Sequence, residues 1–211
     1  MINSLNTQTF DEGLSFLCKA DPDLNRIYLQ FGRPPMWTRD PGFSTLVHII
    51  LEQQVSLASA KAAFDKLHEA IESITPENFI TLNDTELKAI GFSRQKTLYC
   101  RNLADSILAG NISLEDINTL ENEPARIELL KLKGIGPWTV DIYLLMALRR
   151  PDIWPDGDLA LQIALKKLKN FSKKPSRDEM TTLAQPWRPW RAVAARMIWH
   201  YYLSNGHKGS F

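Results

Sequence analysis

Little in this 211-residue chain points to a metal centre, a membrane or a disulfide framework. It has two cysteines, Cys18 and Cys100, far apart and each inside an apolar helical pattern. Both read as buried free thiols, the usual state in a reducing compartment. Without a cysteine cluster, an iron–sulfur centre or a structural zinc site has no ligand set. The four histidines (His48, His68, His200, His207) show no ligand spacing, so no metal site is expected from side chains. No apolar run is long enough to span a bilayer. The start, Met1-Ile2-Asn3-Ser4, lacks the basic residues and apolar core of a secretory signal. Strand-like alternation is missing throughout. A strong charge of one sign is missing too: 25 Lys and Arg face 24 Asp and Glu, for a net charge of +1. Composition therefore does not announce a nucleic-acid binder, but a protein that touches a few phosphates needs only a local basic patch. Lys131 and Lys133, Arg149 and Arg150, Lys166 through Lys174, and Arg188 to Arg196 are such clusters. Any one of them alone reads as a solvated helix face.

What is present is helical periodicity, in a composition that is 44% hydrophobic and so able to bury a core. Asp21 and Pro22 open a short helix toward Tyr28, and Phe31 to Gly42, rich in proline and glycine, reads as an ordered loop. Phe43 to Gln53 carries apolar residues at helical spacing. Ser56 caps a helix to Ile71, and Thr75-Pro76-Glu77 opens another. Asn83 or Asp84 starts a short helix that Gly91 stops; Ser93 starts a longer one that Gly110 stops. Ser113 opens one turn, and Glu123 to Leu132 forms the next helix. Pro137 restarts a helix to Leu148, and Asp158 caps one to Leu168. Ser176-Arg177-Asp178-Glu179 is a capping box, and Pro189 opens the last long helix, Trp190 to Leu203, which Gly206 ends. The pattern predicts an all-α fold of ten or more helices.

The most informative stretch is Leu130-Lys131-Leu132-Lys133-Gly134-Ile135-Gly136-Pro137-Trp138-Thr139-Val140. Two helices meet through a hairpin too tight for side chains, hence Gly134 and Gly136. Backbone N–H groups at the start of the second helix, through Thr139, point outward and with the helix dipole form an anion site. Lys131 and Lys133 add attraction. Gly134, Gly136, Lys133 and Thr139 are thus the candidate DNA-phosphate binders. A bare Gly-x-Gly could equally be a plain turn.

The residues that follow decide between these readings. Trp154-Pro155-Asp156-Gly157-Asp158-Leu159-Ala160-Leu161-Gln162 comes about twenty residues later. A hairpin followed at this distance by a loop and an aspartate resembles the helix-hairpin-helix DNA glycosylase superfamily, and within it the DNA-3-methyladenine glycosylase II family. Phe31-Gly32-Arg33-Pro34-Pro35-Met36-Trp37 is similar to that family's Pro-rich loop. Ile50-Leu51-Glu52-Gln53-Gln54-Val55-Ser56 resembles its Gln-Gln segment, and Gly91-Phe92-Ser93-Arg94-Gln95-Lys96 its Gly-Leu/Phe-Ser-x-x-Lys element. Pro186-Trp187-Arg188-Pro189-Trp190-Arg191 resembles its Trp-Arg-Pro close. The ordered set spans roughly residues 31 to 205.

The resemblance implies that Asp158 is the catalytic carboxylate, with Asp156 the rival and helix capping the plain alternative. Breaking an N-glycosidic bond leaves an oxocarbenium-like sugar, which a carboxylate stabilises while orienting or deprotonating the attacking water. Members that also cut the backbone carry a lysine where this chain has Trp138. No Schiff base can form from that position, so a monofunctional glycosylase without lyase activity is expected. A flipped-out base needs an aromatic pocket, and a cationic alkylated purine favours electron-rich rings. Among the six tryptophans and the tyrosines, Trp138, Trp37 and Tyr143 are the preferred pocket members, with Trp187, Trp190 and Trp199 also considered. In the family, one side chain of the Gln-Gln segment fills the gap left in the duplex, and Gln54 is the candidate plug. The carbonyls of Leu130, Leu132 and Gly134 are a candidate site for a monovalent cation, as in some relatives. No organic cofactor is expected.

The expected architecture is a single domain of two lobes, one from about 1–55 and 155–211, the other from about 56–154, with the active-site cleft between them. The N-terminal β-rich domain of some larger relatives is not expected. Expected substrates are alkylated bases of the 3-methyladenine and 7-methylguanine class in double-stranded DNA, removed during base excision repair by a monomeric protein. The protein would act in the cytoplasmic nucleoid of a bacterium or in the nucleus of a eukaryote. Competing readings are a same-fold glycosylase for mismatched, deaminated or oxidised bases, a non-catalytic DNA-binding helical module with no need for Asp158, and an all-α protein unrelated to DNA.

Overall fold

The computed structural model describes residues 4–205; Gly206, expected to end the last helix, and His207 lie outside the described residues. Thirteen α-helices and no strand occur among the described residues. Helix α1 (Thr7–Ala20) contains Cys18, which the apolar pattern places in a helix, but no start signal in the sequence marks where it opens. Its capping box explains why: the Asn6 side chain accepts the Thr9 N–H and the Thr9 hydroxyl accepts the Asn6 N–H, with threonine where the usual pattern has Glu or Gln. Helix α2 (Pro22–Phe31) follows, capped by Asp21.

Next come α3 (Phe43–Glu52), α4 (Leu57–Ala70), α5 (Pro76–Thr81) and α6 (Asp84–Ile90). They are followed by α7 (Arg94–Leu108), α8 (Leu114–Thr119), α9 (Asn122–Leu130) and α10 (Pro137–Ile142). Ser56, Thr75, Asn83, Ser93 and Ser113 each accept a backbone N–H as the N-cap of the helix that follows. One expectation is corrected here. The helix from Pro137 does not continue as α to Leu148; from Tyr143 to Ala147 it widens into a π-helical turn. The last elements are α11 (Leu159–Leu168), α12 (Arg177–Leu183), a 3-10 turn over Gln185–Trp187, and α13 (Arg191–Ser204).

The chain forms two compact units. The central unit comprises residues 39–143, and the terminal unit comprises the described residues 4–38 and 144–205. The boundaries differ from the expected ones near 55 and 155 for a packing reason. Leu46, Val47, Ile49, Ile50 and Leu51 of α3 are buried, and α3 packs on α4, α7 and α10, so it belongs with the central unit.

In the terminal unit α13 is buried continuously from Ala192 to Trp199 and packs on α2 and α11. Three alanines along that stretch let neighbouring helices approach. Gly13 of α1 serves the same end: a Cβ there would lie 3.0 Å from both Trp190 and Val193. Buried Arg196 sits in the middle of α13. It donates to the carbonyls of Met36, Ala192 and Leu145, and burial lowers its pKa to about 9, which still leaves it protonated at neutral pH. The Leu145 carbonyl belongs to the π-helical turn, so the widened turn supplies an acceptor to a buried cation.

Buried Asp21 ties α2 to the end of α11. It caps α2 through the Asp23 N–H at 2.9 Å, and accepts from the Trp187 indole at 3.0 Å and from the Lys169 ammonium at 3.1 Å. Burial opposes its ionisation, but the hydrogen bonds from Lys169, Trp187 and Asp23 together outweigh it, and the carboxyl sits below its ordinary 3.8. A carboxylate with a depressed folded pKa stabilises the fold above the unfolded value, and this contribution is lost as pH falls through the folded value. Asp21→Asn should therefore lower stability at pH 7 by about 1–3 kcal/mol. It should also abolish the part of the acid-induced loss that the parent shows below about pH 4; chemical denaturation from pH 7 to pH 2.5 measures both.

Candidate functional site

In the central unit the hairpin between α9 and α10 is built around Gly134. Its φ of +90° is in the left-handed region, and a Cβ would lie 2.1 Å from Cγ of Tyr99. The Tyr99 ring from α7 therefore occupies the space directly against the hairpin backbone. Gly136 differs from expectation. It is the N-cap of α10 with ordinary extended backbone (φ −94°), and nothing lies within 4 Å of its Cβ position. Sterics inside the protein thus require glycine at 134 and not at 136; the absent side chain at 136 leaves that side of the hairpin open. Pro137 occupies the first helical position, where its missing N–H costs nothing. The first intrahelical bond runs from the Val140 N–H to the Gly136 carbonyl, so the N–H groups of the first turn precede any helical acceptor.

Gln53 fixes the hairpin from the other side. Its Nε2 donates to the Gly134 carbonyl and to the Thr139 hydroxyl, each at 3.0 Å. The Thr139 side chain, one of the expected phosphate binders, is therefore buried and engaged inward. Lys133 is exposed, and Lys131 is held by Glu128 at 2.7 Å. The Leu132 carbonyl accepts the Ile135 N–H and the Gly134 carbonyl accepts from Gln53. A monovalent cation at Leu130, Leu132 and Gly134 would thus have only second lone pairs on two of its three oxygens. No cluster of His, Cys, Asp and Glu suited to a metal occurs among the described residues.

Gln54 is exposed and holds a φ of +57°, uncommon for a residue with a Cβ. Trp138 is half-buried. Tyr143 is fully buried: its hydroxyl accepts the Gly42 N–H and donates to the Asn118 side chain, both at 3.1 Å. Burial pushes its pKa up to about 12. Its ring is a packed core element with a satisfied hydroxyl, so the structure does not place it as an open pocket wall.

In the terminal unit Asp158 is buried and caps α11, accepting the Leu161 N–H at 2.9 Å. The same oxygen, Oδ1, accepts the Trp199 indole N–H at 3.1 Å. Tyr202, one turn along α13 and also buried, has its phenol pKa raised by burial and by the negative charge of Asp158. Asp156 is half-buried, its carboxylate within 3.4 Å of the Thr181 hydroxyl. Of the two aspartates, Asp158 is the one gripped by two N–H donors. Trp37 is half-buried at φ +40° and meets His200 edge-on at 6.5 Å. The remaining tryptophans sort clearly. Trp154 and Trp187 are core, with their indoles bonded to the Met180 carbonyl and to Asp21, and Trp190 packs on Gly13. The roles of Gln53 and Tyr99 were not legible beforehand. The only signal was a polar pair ending an apolar helix, without a sign of which glutamine turns inward.

The chain is similar to known proteins over most of its length. A family model for the HhH-GPD superfamily base excision DNA repair proteins matches residues 47–189. The DNA-3-methyladenine glycosylase of Bacillus subtilis is 30% identical over 201 residues, covering 87% of this chain and 64% of that protein. The DNA-3-methyladenine glycosylase 1 of Schizosaccharomyces pombe is 27% identical over 161 residues, covering 74% of this chain and 71% of that one. The chain spans about 64% of the length of the Bacillus relatives it matches. Among solved structures, a 3-methyladenine DNA glycosylase of Schizosaccharomyces pombe in complex with abasic DNA shares the fold. Its TM-score is 0.81 at 24% identity, over 92% of this chain and 96% of that one. An 8-oxoguanine glycosylase/lyase of Clostridium acetobutylicum shares it at TM-score 0.77 and 18% identity, over 94% of this chain and 71% of that one.

The two glycines should respond differently to the same change. Gly134→Ala combines a left-handed backbone with a collision against Tyr99 and should cost about 2–5 kcal/mol. Gly136→Ala, with ordinary φ and open space, should cost about 1 kcal/mol or less. Chemical denaturation of the two variants checks this; equal losses would contradict the asymmetry.

Proposed function

Because the chain belongs to the HhH-GPD superfamily of base excision DNA repair proteins, we propose that it is a monofunctional DNA glycosylase that excises alkylated bases by hydrolysis. The observation that carries the reading is Asp158, a buried carboxylate held through Oδ1 by the Leu161 N–H and the Trp199 indole. Those donors and the positive end of the α11 dipole favour its negative charge and fix its direction. Such a group is suited to stabilise an oxocarbenium-like sugar and to orient or deprotonate the attacking water. The substrate class follows from the names of the relatives, two of which are DNA-3-methyladenine glycosylases.

The hairpin's part is to hold a phosphate of double-stranded DNA. N–H groups at the start of α10 suit an anion, and the absent side chain at Gly136 lets the backbone approach closely. Exposed Lys133 adds long-range attraction. Gln54 enters the duplex where the damaged nucleotide has been turned out. Trp37 and Trp138 hold the cationic base, each contributing roughly 0.5–2 kcal/mol over a neutral one. Trp138 stands where lyases of the superfamily have a nucleophilic lysine, so the abasic strand is left uncut. The protein acts as a monomer, wherever its host keeps duplex DNA.

The test is incubation with duplex DNA treated with a methylating agent, followed by identification of the bases set free. The parent should release 3-methyladenine or 7-methylguanine and leave abasic strands intact. Asn caps a helix as well as Asp, so Asp158→Asn should keep its fold and its duplex affinity while the single-turnover rate falls by roughly 100-fold or more. Gly136→Ala should remain folded but bind duplex more weakly. A parent that releases only oxidised or mismatched bases would replace the substrate class and keep the chemistry. Unchanged release by Asp158→Asn would remove the carboxylate from the mechanism.

A further inference from the structure

Gln53 and Gln54 are neighbours in sequence, yet the first turns into the protein and the second out of it. Gln53 reaches two parts of the hairpin with one amide: the Gly134 carbonyl lies in the bend and the Thr139 hydroxyl in the first turn of α10. Gln54 follows immediately, exposed and in the left-handed conformation. Ser56, two residues on, is fixed as the cap of α4. The turn that presents Gln54 is thus anchored on one side in the hairpin and on the other in α4.

Helix α7 reinforces the same connection. The Lys96 ammonium donates to the Leu51 carbonyl at 2.6 Å, in the last turn of α3. Tyr99, three residues later and so on the same face of α7, lies against Gly134. One helix face therefore braces the end of α3 and the hairpin together.

We propose that Gln53 is a positioning residue that couples the two DNA contacts of the central unit, the hairpin that takes a phosphate and the Gln54 side chain that enters the duplex. The inference rests on the function proposed above. A plug and a phosphate clamp help each other only if their spacing is fixed before DNA arrives, because ordering them at the moment of binding would weaken the complex. Gln53 sets that spacing: its amide is bonded to the clamp and its backbone leads directly into the plug.

The experiment uses the full chain and a duplex with a tetrahydrofuran abasic-site analogue opposite 2-aminopurine. Fluorescence anisotropy gives affinity across a salt series, 2-aminopurine emission reports insertion, and thermal melting monitors the fold. Gln53→Met keeps length and packing but has no donor. It should bind roughly tenfold more weakly, with a salt slope shallower by about 0.9, the value of one phosphate contact. The aminopurine response should be lost with it. Gln54→Ala should lose the aminopurine response alone and keep the parent's slope. If Gln53→Met melts below the assay temperature, Thr139→Val takes its place; it deletes one of the two acceptors at constant shape and should weaken both signals together. A Gln53→Met or Thr139→Val variant that is folded and loses one signal without the other, or neither, overturns the coupling. A parent protein that does not bind the duplex at all overturns the proposed function as well. A parent that binds it, beside a Gln53→Met variant that behaves like the parent, overturns the coupling alone.

Discussion

The central unit depends on one backbone position. At Gly134 the chain must reverse between α9 and α10 in the left-handed region while lying against the Tyr99 ring. The bend of the hairpin is set by that contact. With the bend pressed onto α7, the Gly134 carbonyl comes within reach of Gln53, and α10 begins just after its N-cap, Gly136, with its first N–H groups ahead of any helical acceptor. A side chain at 134 would push the bend away from α7 and loosen the bonds that Gln53 makes. The anion-binding property proposed for this segment therefore derives from packing beneath it, more than from the basic residues beside it.

In the terminal unit the same economy holds at Asp158. Capping is compatible with the catalytic use proposed for the same carboxylate. The Leu161 N–H gives the side chain its direction, and the Trp199 indole reinforces it from α13. The scaffold around α13 is rigid for independent reasons. Arg196 is bonded to carbonyls of the loop before α3, of the π-helical turn and of its own helix. Asp21, Lys169 and Trp187 lock α2 to the end of α11. Removing charge from such networks leaves buried partners without a counterpart, which is why they are costly to alter.

Helices announced by Ser, Thr or Asn caps and by glycine stops were legible in the sequence, and so were the hairpin and the loop bearing Asp158. What escaped has specific causes. Helix α1 uses threonine at the third position of its capping box. The π-helical turn leaves no mark in apolar spacing, because four of its five residues, Tyr143, Leu144, Leu145 and Ala147, are buried and give no polar face to set a period. The two hairpin glycines look equivalent in sequence, while only Gly134 has the left-handed backbone and the crowded Cβ position. Tyr143 looked like a pocket aromatic, but its partners, Gly42 and Asn118, are remote in the chain. The Gln-Gln pair showed that polar groups end α3, and only tertiary structure shows which of them turns toward the hairpin.

The claim at the centre of this account is that backbone N–H groups of the hairpin hold DNA. Amide hydrogen exchange of the protein with and without a duplex bearing an abasic-site analogue tests it most directly. Protection on binding should be concentrated at Gly136 and at Trp138 and Thr139 in the first turn of α10, and should fade as salt is raised. Hairpin amides that exchange at the same rate in the free and DNA-bound protein would contradict it.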